Sequence, residues 1–374
     1  MNSNQPIIIF TASYGNGHMS VANAIKEQLK EHMPRQKVEI IDFFEKMAPK
    51  RYKHMYKGYQ SLIKLASPVF NCYYYAKEKI SGVKRLDTLD LSIRKNLEEL
   101  LQRKKPQLVI STFPVCSGYL SNYKSNVEEI RFVSVITDIV ATKEWIYEGT
   151  DYYCVATPQI KQEMIEEEVE SSKILVTGIP LRKKFYYSIP NERNNIKKYL
   201  PEIPEDKKVI TLLGGGLGLL PTNLSFYQWI ARLPDVYIVV ITGKNAKLRE
   251  KLQEKLDIKN MTVLGYVDFI EPLMRRSEFI VGKPGGITLF EALILKVPFV
   301  LITPKLGQEV ENAKYIEKHK LGCVANDNQE LKKMIRRMVL NEDIPKVYKE
   351  NMEKFGQEIN PLLLVEKIKE WCES

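Results

Sequence analysis

The 374-residue chain has no apolar run of the ~18 residues that a membrane-spanning helix needs, so its sequence predicts no bilayer anchor. Its opening stretch, Met1 to Pro6, shows neither the basic leader nor the apolar core of a secretory signal. The expected location is therefore the cytoplasm. Cysteine is scarce. Cys72, Cys116, Cys154, Cys323 and Cys372 are odd in number and widely scattered, which argues for reduced thiols and against a disulfide framework or a zinc cluster. No Asp-x-Asp pair occurs, no Gly-x-Gly-x-x-Gly, and no Gly-Lys-Ser/Thr. The spacing therefore supplies neither a metal pair nor the fingerprint of a dinucleotide or P-loop site. Low-complexity tracts and internal repeats are absent apart from a recurring β/α plan.

What is present describes a folded protein with room for two domains. Hydrophobic residues make up 44% and charged residues 27% of the chain, a globular balance. The net charge of +10 is concentrated: Lys50 to Lys105 holds 14 Lys/Arg against 5 Asp/Glu, interleaved with Tyr52, Tyr56, Tyr59, Phe70, Tyr73, Tyr74 and Tyr75. Without a recognisable nucleic-acid module beside it, this basic aromatic region reads as a surface for an anionic membrane, with Lys50, Arg51, Lys53, Lys57, Tyr56 and Tyr59 as its candidates.

The strongest pattern lies between Glu278 and Tyr315. An apolar strand, 278–281, enters Gly282-Lys283-Pro284-Gly285-Gly286 and then a helical stretch, 287–293. A second strand, 299–302, ends in a polar turn before a helix starting at Glu309 to Asn312. In an open parallel sheet ligands gather beyond the carboxyl ends of strands. Paired glycines let backbone approach a ligand, and the free N–H groups of a helix start attract phosphate. Glu291, about one turn into its helix, suits ribose hydroxyls, while Gln308, Glu309 and Asn312 offer further hydroxyl partners.

The same unit recurs twice. Strand 7–11 runs into Ala12-Ser13-Tyr14-Gly15-Asn16-Gly17-His18, and the helix from Ser20 follows. Strand 209–213 runs into Gly214-Gly215-Gly216-Leu217-Gly218. His18, beside a positive helix end, is favoured in its neutral form and can take a proton from a hydroxyl. Strands 108–112 and 132–137 bring Phe113-Pro114 and Asp138 to the same rim. Asp138 is then a second base candidate or the group that orients His18. Between the halves, Ile179 to Lys208 is rich in Pro, Asn and charge and reads as a connection. Its Arg182 suits a diphosphate. Tyr266 and Val267, after strand 261–264, can flank a flat base.

Thr11-Ala-Ser-Tyr-Gly-Asn-Gly-His18, Thr112-Phe-Pro114, Thr137-Asp138 with Trp145, Thr177-Gly-Ile-Pro-Leu-Arg182, Lys283-Pro-Gly-Gly-Ile-Thr288, Glu291-Ala292 and Gly307-Gln-Glu309 with Glu311-Asn312-Ala313 form an ordered set covering nearly the whole chain. This set resembles the monogalactosyldiacylglycerol-synthase-type glycosyltransferases, glycosyltransferase family 28, and within it the bacterial processive diacylglycerol β-glucosyltransferase branch.

The resemblance implies an α/β GT-B fold, two Rossmann-like domains facing an interdomain cleft. The expected organisation is an acceptor and membrane-binding domain at 1–182, a UDP-sugar domain at 183–355, and a helix at 356–374 packing back on the first. By the same resemblance Glu291 is the ribose ligand, and Tyr266 with Val267 the uracil pocket. Gly214, Gly215, Gly216, Gly218, Arg182 and Thr288, with the Gly285–Gly286 turn, form the diphosphate cradle. Gln308, Glu309 and Asn312 bind sugar hydroxyls, while Gly17, His18 and Pro114 lie on the acceptor side.

The expected reaction is inverting transfer of a hexose, glucose in preference to galactose, from a UDP-sugar to diacylglycerol or glycosyl-diacylglycerol at the cytosolic membrane face. No nucleic acid, metal or other cofactor is expected to take part, and Arg182 carries positive charge to the leaving group. The chain departs from the family pattern at Ala141-Thr142, Ile146-Tyr147, Leu217, Phe290 and Leu306, positions bordering sugar and acceptor. A transferase using UDP-GlcNAc and another lipid-linked acceptor, a UDP-sugar epimerase, and a UDP-sugar sensor without turnover remain alternatives.

Overall fold

The computed structural model describes residues 5–14, 16–65, 90–125, 130–140, 143–186, 196–256, 258–304 and 307–373. The helical break expected at Ser67-Pro68, the aromatics at 70–75, and Gly15, Ala141, Thr142 and Leu306 fall outside these residues. The chain divides into two compact units, Met1–Lys183 with Glu358–Ser374, and Lys184–Gln357.

The first unit runs β1 (Ile7–Thr11), α1 (Asn16–His32), β2 (Val38–Asp42), α2 (Phe43–Met47), α3 (Tyr52–Leu65), α4 (Leu91–Lys104), β3 (Leu108–Ser111), α5 (Pro114–Lys124), β4 (Arg131–Val135), β5 (Tyr152–Val155), α6 (Pro158–Glu166) and β6 (Ile174–Val176). Its strands form one sheet in the order β2-β1-β3-β4-β5-β6, every pair parallel. A parallel sheet is covered on both faces, so its central strands read as continuous apolar runs. Ile7, Ile8, Ile9 and Phe10 of β1 are accordingly all fully buried. Helix α1 returns across the sheet by burying Val21, Ala22, Ile25 and Leu29, residues at helical spacing on one face. Phe10, Phe43, Phe132, Leu97 and Leu101 belong to a cluster that joins α2 and α4 to the sheet.

The second unit runs β7 (Lys208–Leu213), α7 (Leu224–Ile230), β8 (Val236–Ile241), α8 (Ala246–Lys255), β9 (Met261–Leu264), α9 (Ile270–Arg276), β10 (Ser277–Gly282), α10 (Gly286–Ile294), β11 (Phe299–Leu301), α11 (Gly307–Lys318), β12 (Gly322–Val324), α12 (Asn328–Leu340) and α13 (Asp343–Gln357). Its order, β12-β11-β10-β7-β8-β9, again with parallel pairs only, is that of a dinucleotide-type Rossmann sheet. A last helix, α14 (Leu363–Glu373), belongs to the first unit. It buries Leu364, Val365 and Ile368. Trp371 stacks on Tyr152 at a centroid separation of 4.3 Å, under the Arg131 guanidinium at 5.5 Å, a pairing of large apolar area with a cation over the ring.

The stretch that reads as a connection is more than a tether. In its described part Phe185, Ile196, Leu200 and Ile203 are buried. Arg275 donates to the carbonyl of Lys184 at 2.9 Å, and Arg276 donates to that of Lys207 at 2.8 Å. Its polar composition hides these apolar anchors, with Ile179 and Leu181 before them also buried, at a spacing too irregular to show a helix or strand period.

Each sheet reverses its winding once. In the first unit chain order turns back between β1 and β3, and in the second between β7 and β10. Loops leaving the two strands at such a point splay to opposite faces and open a crevice, the standard ligand position in open α/β sheets.

Candidate functional site

At the reversal in the first unit, the loop after β1 leads into α1, whose second and third residues are Gly17 and His18. The loop after β3 supplies Thr112, Phe113 and Pro114; Pro114 is buried and opens α5, where its missing N–H costs nothing and its φ suits a helix start. Thr112 Oγ1 donates to the His18 carbonyl at 3.2 Å. Thr137, just past β4, brings its Oγ1 to 3.0 Å from His18 Nδ1. Phe113 meets the imidazole edge-on at 5.0 Å, and Tyr14 stacks on Phe113 at 5.2 Å.

Burial lowers the imidazole pKa to about 4, against smaller raising effects from the Thr112 backbone and the Glu144 charge. His18 is thus neutral at physiological pH. Asp138 is buried at 6% exposure, but the side chain that meets Nδ1 is that of Thr137, a residue the sequence reading quoted only as part of a motif. Arg182 is half-buried in the segment after β6, which α1 holds through a Gln28 Nε2 bond to the Leu181 carbonyl at 3.0 Å.

At the reversal in the second unit, β7 ends in the four-glycine loop. Gly218 has φ +66°, and a Cβ there would lie 2.0 Å from the Thr242 carbonyl oxygen, so no other residue fits. The loop is cross-braced: Leu219 N–H bonds to Gly214 O at 2.7 Å and Gly218 N–H to Gly215 O at 3.1 Å. Asn245 Nδ2 donates to Gly218 O at 3.1 Å. Among the described residues, the N–H groups of Gly215, Gly216 and Leu217 take no partner.

Beside it, β10 delivers Lys283-Pro284-Gly285, and α10 starts at Gly286 with no side-chain cap. Its first intrahelical bond is Leu289 N–H to Gly285 O, which leaves the N–H groups of Gly286, Ile287 and Thr288 as orphan donors. Two sets of backbone donors therefore occupy the switch point. Further along α10, Glu291 is buried at 7% exposure.

Helix α11 begins at Gly307, two residues before the start read from the sequence, with Gln308 half-buried and Glu309 buried. Lys283 Nζ pairs with Glu309 Oε1 at 2.6 Å. Asn312, 1% exposed, donates from Nδ2 to the Pro284 carbonyl at 3.0 Å, and its Oδ1 has no hydrogen-bond partner among the described residues. After β9, Tyr266 is 68% exposed and Val267 half-buried, an open ring face of the kind a flat base covers. Lys283 is the residue here that sequence reasoning left without a role; the signal for it was its place beside two glycines at a strand end.

The described part of the basic surface lies on α3 and the residues just before it. Tyr52, Met55 and Tyr56 pack against the first unit's core, while Lys50, Lys53 and Lys57 are exposed. Two of the surface candidates have partners within the protein. Tyr56 points inward, its hydroxyl bonded to Asp42 and to the Ser13 N–H, because helical spacing puts it on the face of Tyr52. Arg51 is already paired with Asp90 at 2.9 Å. Tyr59 lies within α3, and its side chain is outside the described residues. Among the described residues no helix is long and apolar enough to cross a membrane.

Two Rossmann-like units with all-parallel six-stranded sheets and polar loops at each reversal define the GT-B fold class. Solved structures share it at low sequence identity. Anabaena Alr3699/HepE in complex with UDP gives a TM-score of 0.58 at 13% identity, over 98% of this chain and 99% of that one. Neisseria meningitidis UDP-GlcNAc 2-epimerase gives 0.64 at 16% over 97% and 99%, and Arabidopsis thaliana UGT89C1 gives 0.64 at 14% over 98% and 100%.

Sequence comparison supplies the family. Residues 18–181 match monogalactosyldiacylglycerol (MGDG) synthase, and 209–363 match the glycosyltransferase family 28 C-terminal domain. The processive diacylglycerol β-glucosyltransferase of Bacillus pumilus is 31% identical over 99% of this chain and 96% of its own length. That of Bacillus subtilis is 31% identical over 94% and 91%, and that of Bacillus cereus (strain AH187) 34% over 88% and 84%. The chain belongs to this MGDG synthase and family 28 group: it is a glycosyltransferase of the diacylglycerol glucosyltransferase type.

Proposed function

We propose that the chain moves a hexose, glucose in preference to galactose, from a UDP-sugar to diacylglycerol or glycosyl-diacylglycerol at the cytosolic membrane face, inverting the anomeric centre. The observation that carries this reading is the backbone-donor cradle at the β7/β10 reversal with Glu291 buried behind it, in a chain similar along nearly its whole length to processive diacylglycerol β-glucosyltransferases.

The donor's diphosphate rests on the N–H groups of Gly215, Gly216 and Leu217 and of the α10 start. Glu291 takes the ribose hydroxyls, Tyr266 and Val267 the uracil, and Gln308, Glu309 and Asn312 the sugar. In the first unit the acceptor hydroxyl meets His18. The acceptor oxygen attacks the anomeric carbon, the bond to the diphosphate oxygen breaks, and UDP leaves with the bonding pair. The hydroxyl proton passes to His18 or Asp138. For His18, the tautomer whose Nδ1–H donates to Thr137 Oγ1 leaves Nε2 as the accepting atom. General-base help of this kind contributes about 10²–10⁴-fold. Backbone dipoles and Arg182 meet the charge that grows on the leaving group, the larger part of such catalysis. The exposed lysines of α3 hold the protein on anionic lipid, each contributing on the order of 1 kcal/mol.

The test is to incubate the protein with UDP-glucose, UDP-galactose and UDP-GlcNAc, each with diacylglycerol-containing vesicles, and to identify lipid products by mass spectrometry. Glucosyl-diacylglycerol is expected; turnover only with UDP-GlcNAc and another lipid, or none with any pair, overturns the reading.

A further inference from the structure

Lys283 sits where the three donor-side backbone segments of the second unit come together. It directly follows β10, and its Cε lies 3.0 Å from where a Cβ on Gly215 would stand. The same carbon is 3.8 Å, and Nζ 4.0 Å, from the corresponding point on Gly285. Nζ itself is 2.6 Å from Glu309 Oε1 at the start of α11. The lysine stem therefore lies against the glycine loop and the approach to α10, while its ammonium is bonded to the first turn of α11. Gly215 has φ +62°, so the absence of a side chain there both permits that turn and leaves the space the lysine occupies.

The pair is asymmetric. Lys283 is 30% exposed and Glu309 11%, so the carboxylate is the fixed partner, while the ammonium, on four rotatable bonds, can turn without leaving the site. One helical turn beyond Glu309, Asn312 presents a buried Oδ1 that nothing in the described residues satisfies, while its Nδ2 holds the carbonyl of Pro284, next to Lys283. A buried acceptor left open beside a carboxylate is costly unless a donor arrives, and hexose hydroxyls are donors of the right kind.

We propose that Lys283 is a donor-contacting residue that couples recognition of the diphosphate to recognition of the sugar. Held by Glu309 in the free protein, its ammonium turns to a diphosphate oxygen when a nucleotide sugar binds, and the exchange releases Glu309 Oε1 to accept a hexose hydroxyl beside Asn312 Oδ1. The inference rests on the donor reading above and adds to it a cation that moves. A lone carboxylate at this position would repel the diphosphate. The lysine supplies the positive charge that offsets this repulsion as it turns to the diphosphate.

The experiment is calorimetric titration of the full chain with UDP, uridine and UDP-glucose, for wild type, Lys283→Met, Lys283→Arg, Glu309→Gln and the double variant Lys283→Met/Glu309→Gln. Loss of one charge-assisted hydrogen bond gives an expected fall of about 10- to 100-fold in UDP affinity for Lys283→Met, with uridine changed less than about twofold, and partial recovery in Lys283→Arg. Glu309→Gln, which frees the ammonium, is expected to bind UDP at least as tightly as wild type while losing the extra affinity that glucose confers. The double variant has no uncompensated carboxylate, so its thermal unfolding stays near wild type and its weak UDP binding is not a folding defect. Equal UDP binding by wild type and the double variant, or equal loss of UDP and uridine, overturns the proposal. A wild-type chain that binds no UDP instead sinks the donor reading and this inference with it.

Discussion

The hydroxyl of Tyr56 donates to Oδ1 of Asp42 at 2.5 Å and accepts from the Ser13 N–H at 3.0 Å, so it fastens the lysine-bearing helix α3 both to the end of β2 and to the loop that leads to His18. Oδ2 of the same carboxylate accepts from Ser13 Oγ at 2.6 Å, and Oδ1 also accepts from the Glu45 N–H at 3.1 Å, capping α2. Tyr14, one residue past Ser13, meets the Tyr56 ring edge-on at 4.6 Å. Replacing Tyr56 by Phe keeps the ring contacts and leaves part of the carboxylate unpaired, at a cost of about 1–3 kcal/mol. Thermal unfolding checks the loss of stability. Turnover is expected to fall with donor KM unchanged, since the bond lies in the first unit.

The second expectation concerns pH. His18 stays neutral in the folded chain down to about pH 4, whereas in an unfolded chain it takes up its proton near 6.5. Between those values the unfolded state binds more protons, so stability falls as pH drops from about 6.5 toward 4 and flattens below. His18→Gln should remove that part of the slope in denaturant titrations across this range. Base-dependent turnover is expected to persist to about pH 5; an acid limb centred at 6.5 would contradict a neutral buried imidazole.

Gly218→Ala tests the glycine loop. The added methyl would meet the Thr242 carbonyl at 2.0 Å on a residue already at φ +66°, and the left-handed conformation alone costs about 1–2 kcal/mol for a residue with a Cβ. The loop must shift, so both melting temperature and UDP affinity should drop. Uridine, without phosphates, is expected to lose less.

Glu291 carries a sharper nucleotide test. If its carboxylate takes the ribose hydroxyls, wild type prefers UDP to 2′-deoxy-UDP by about 10-fold or more, in line with a hydrogen bond to a charged group. Glu291→Ala should bind both weakly and alike. A preference that survives the substitution places ribose recognition elsewhere.

On α3 and just before its start, Lys50, Lys53 and Lys57 are exposed, whereas Arg51 is paired with Asp90. Substituting the three lysines by Ser is expected to weaken binding to anionic vesicles by about 3 kcal/mol, or ~100-fold, at moderate salt. Arg51→Ser should cost less. Co-sedimentation with vesicles of graded anionic content separates the cases.

Much of the fold was legible because its signals are local. Ile7 to Phe10, and Val209 to Leu213 but for Thr211, are apolar without alternation, each followed by glycines and a helix, and that is enough to read parallel β/α units. The motif set placed the chain in its family for the same reason. What local signals do not encode is which distant segments meet. Thr137 and His18 are 119 residues apart and Lys283 and Glu309 are 26 apart, and both contacts depend on which strand lies beside which. Tyr56 was read as surface because lysines surround it in sequence; on the helix they point elsewhere. The buried Phe185 and Ile196 were masked by the polar residues between them.

Because α14 and its Trp371–Tyr152 stack complete the first unit after the entire second unit has been made, assembly cannot proceed strictly from one end. During synthesis the half that emerges later can close first, while the earlier half waits for a keystone encoded near residue 371. A premature stop before that helix would therefore spare the second unit and leave the first open along β6, an error that strikes the part of the protein translated first.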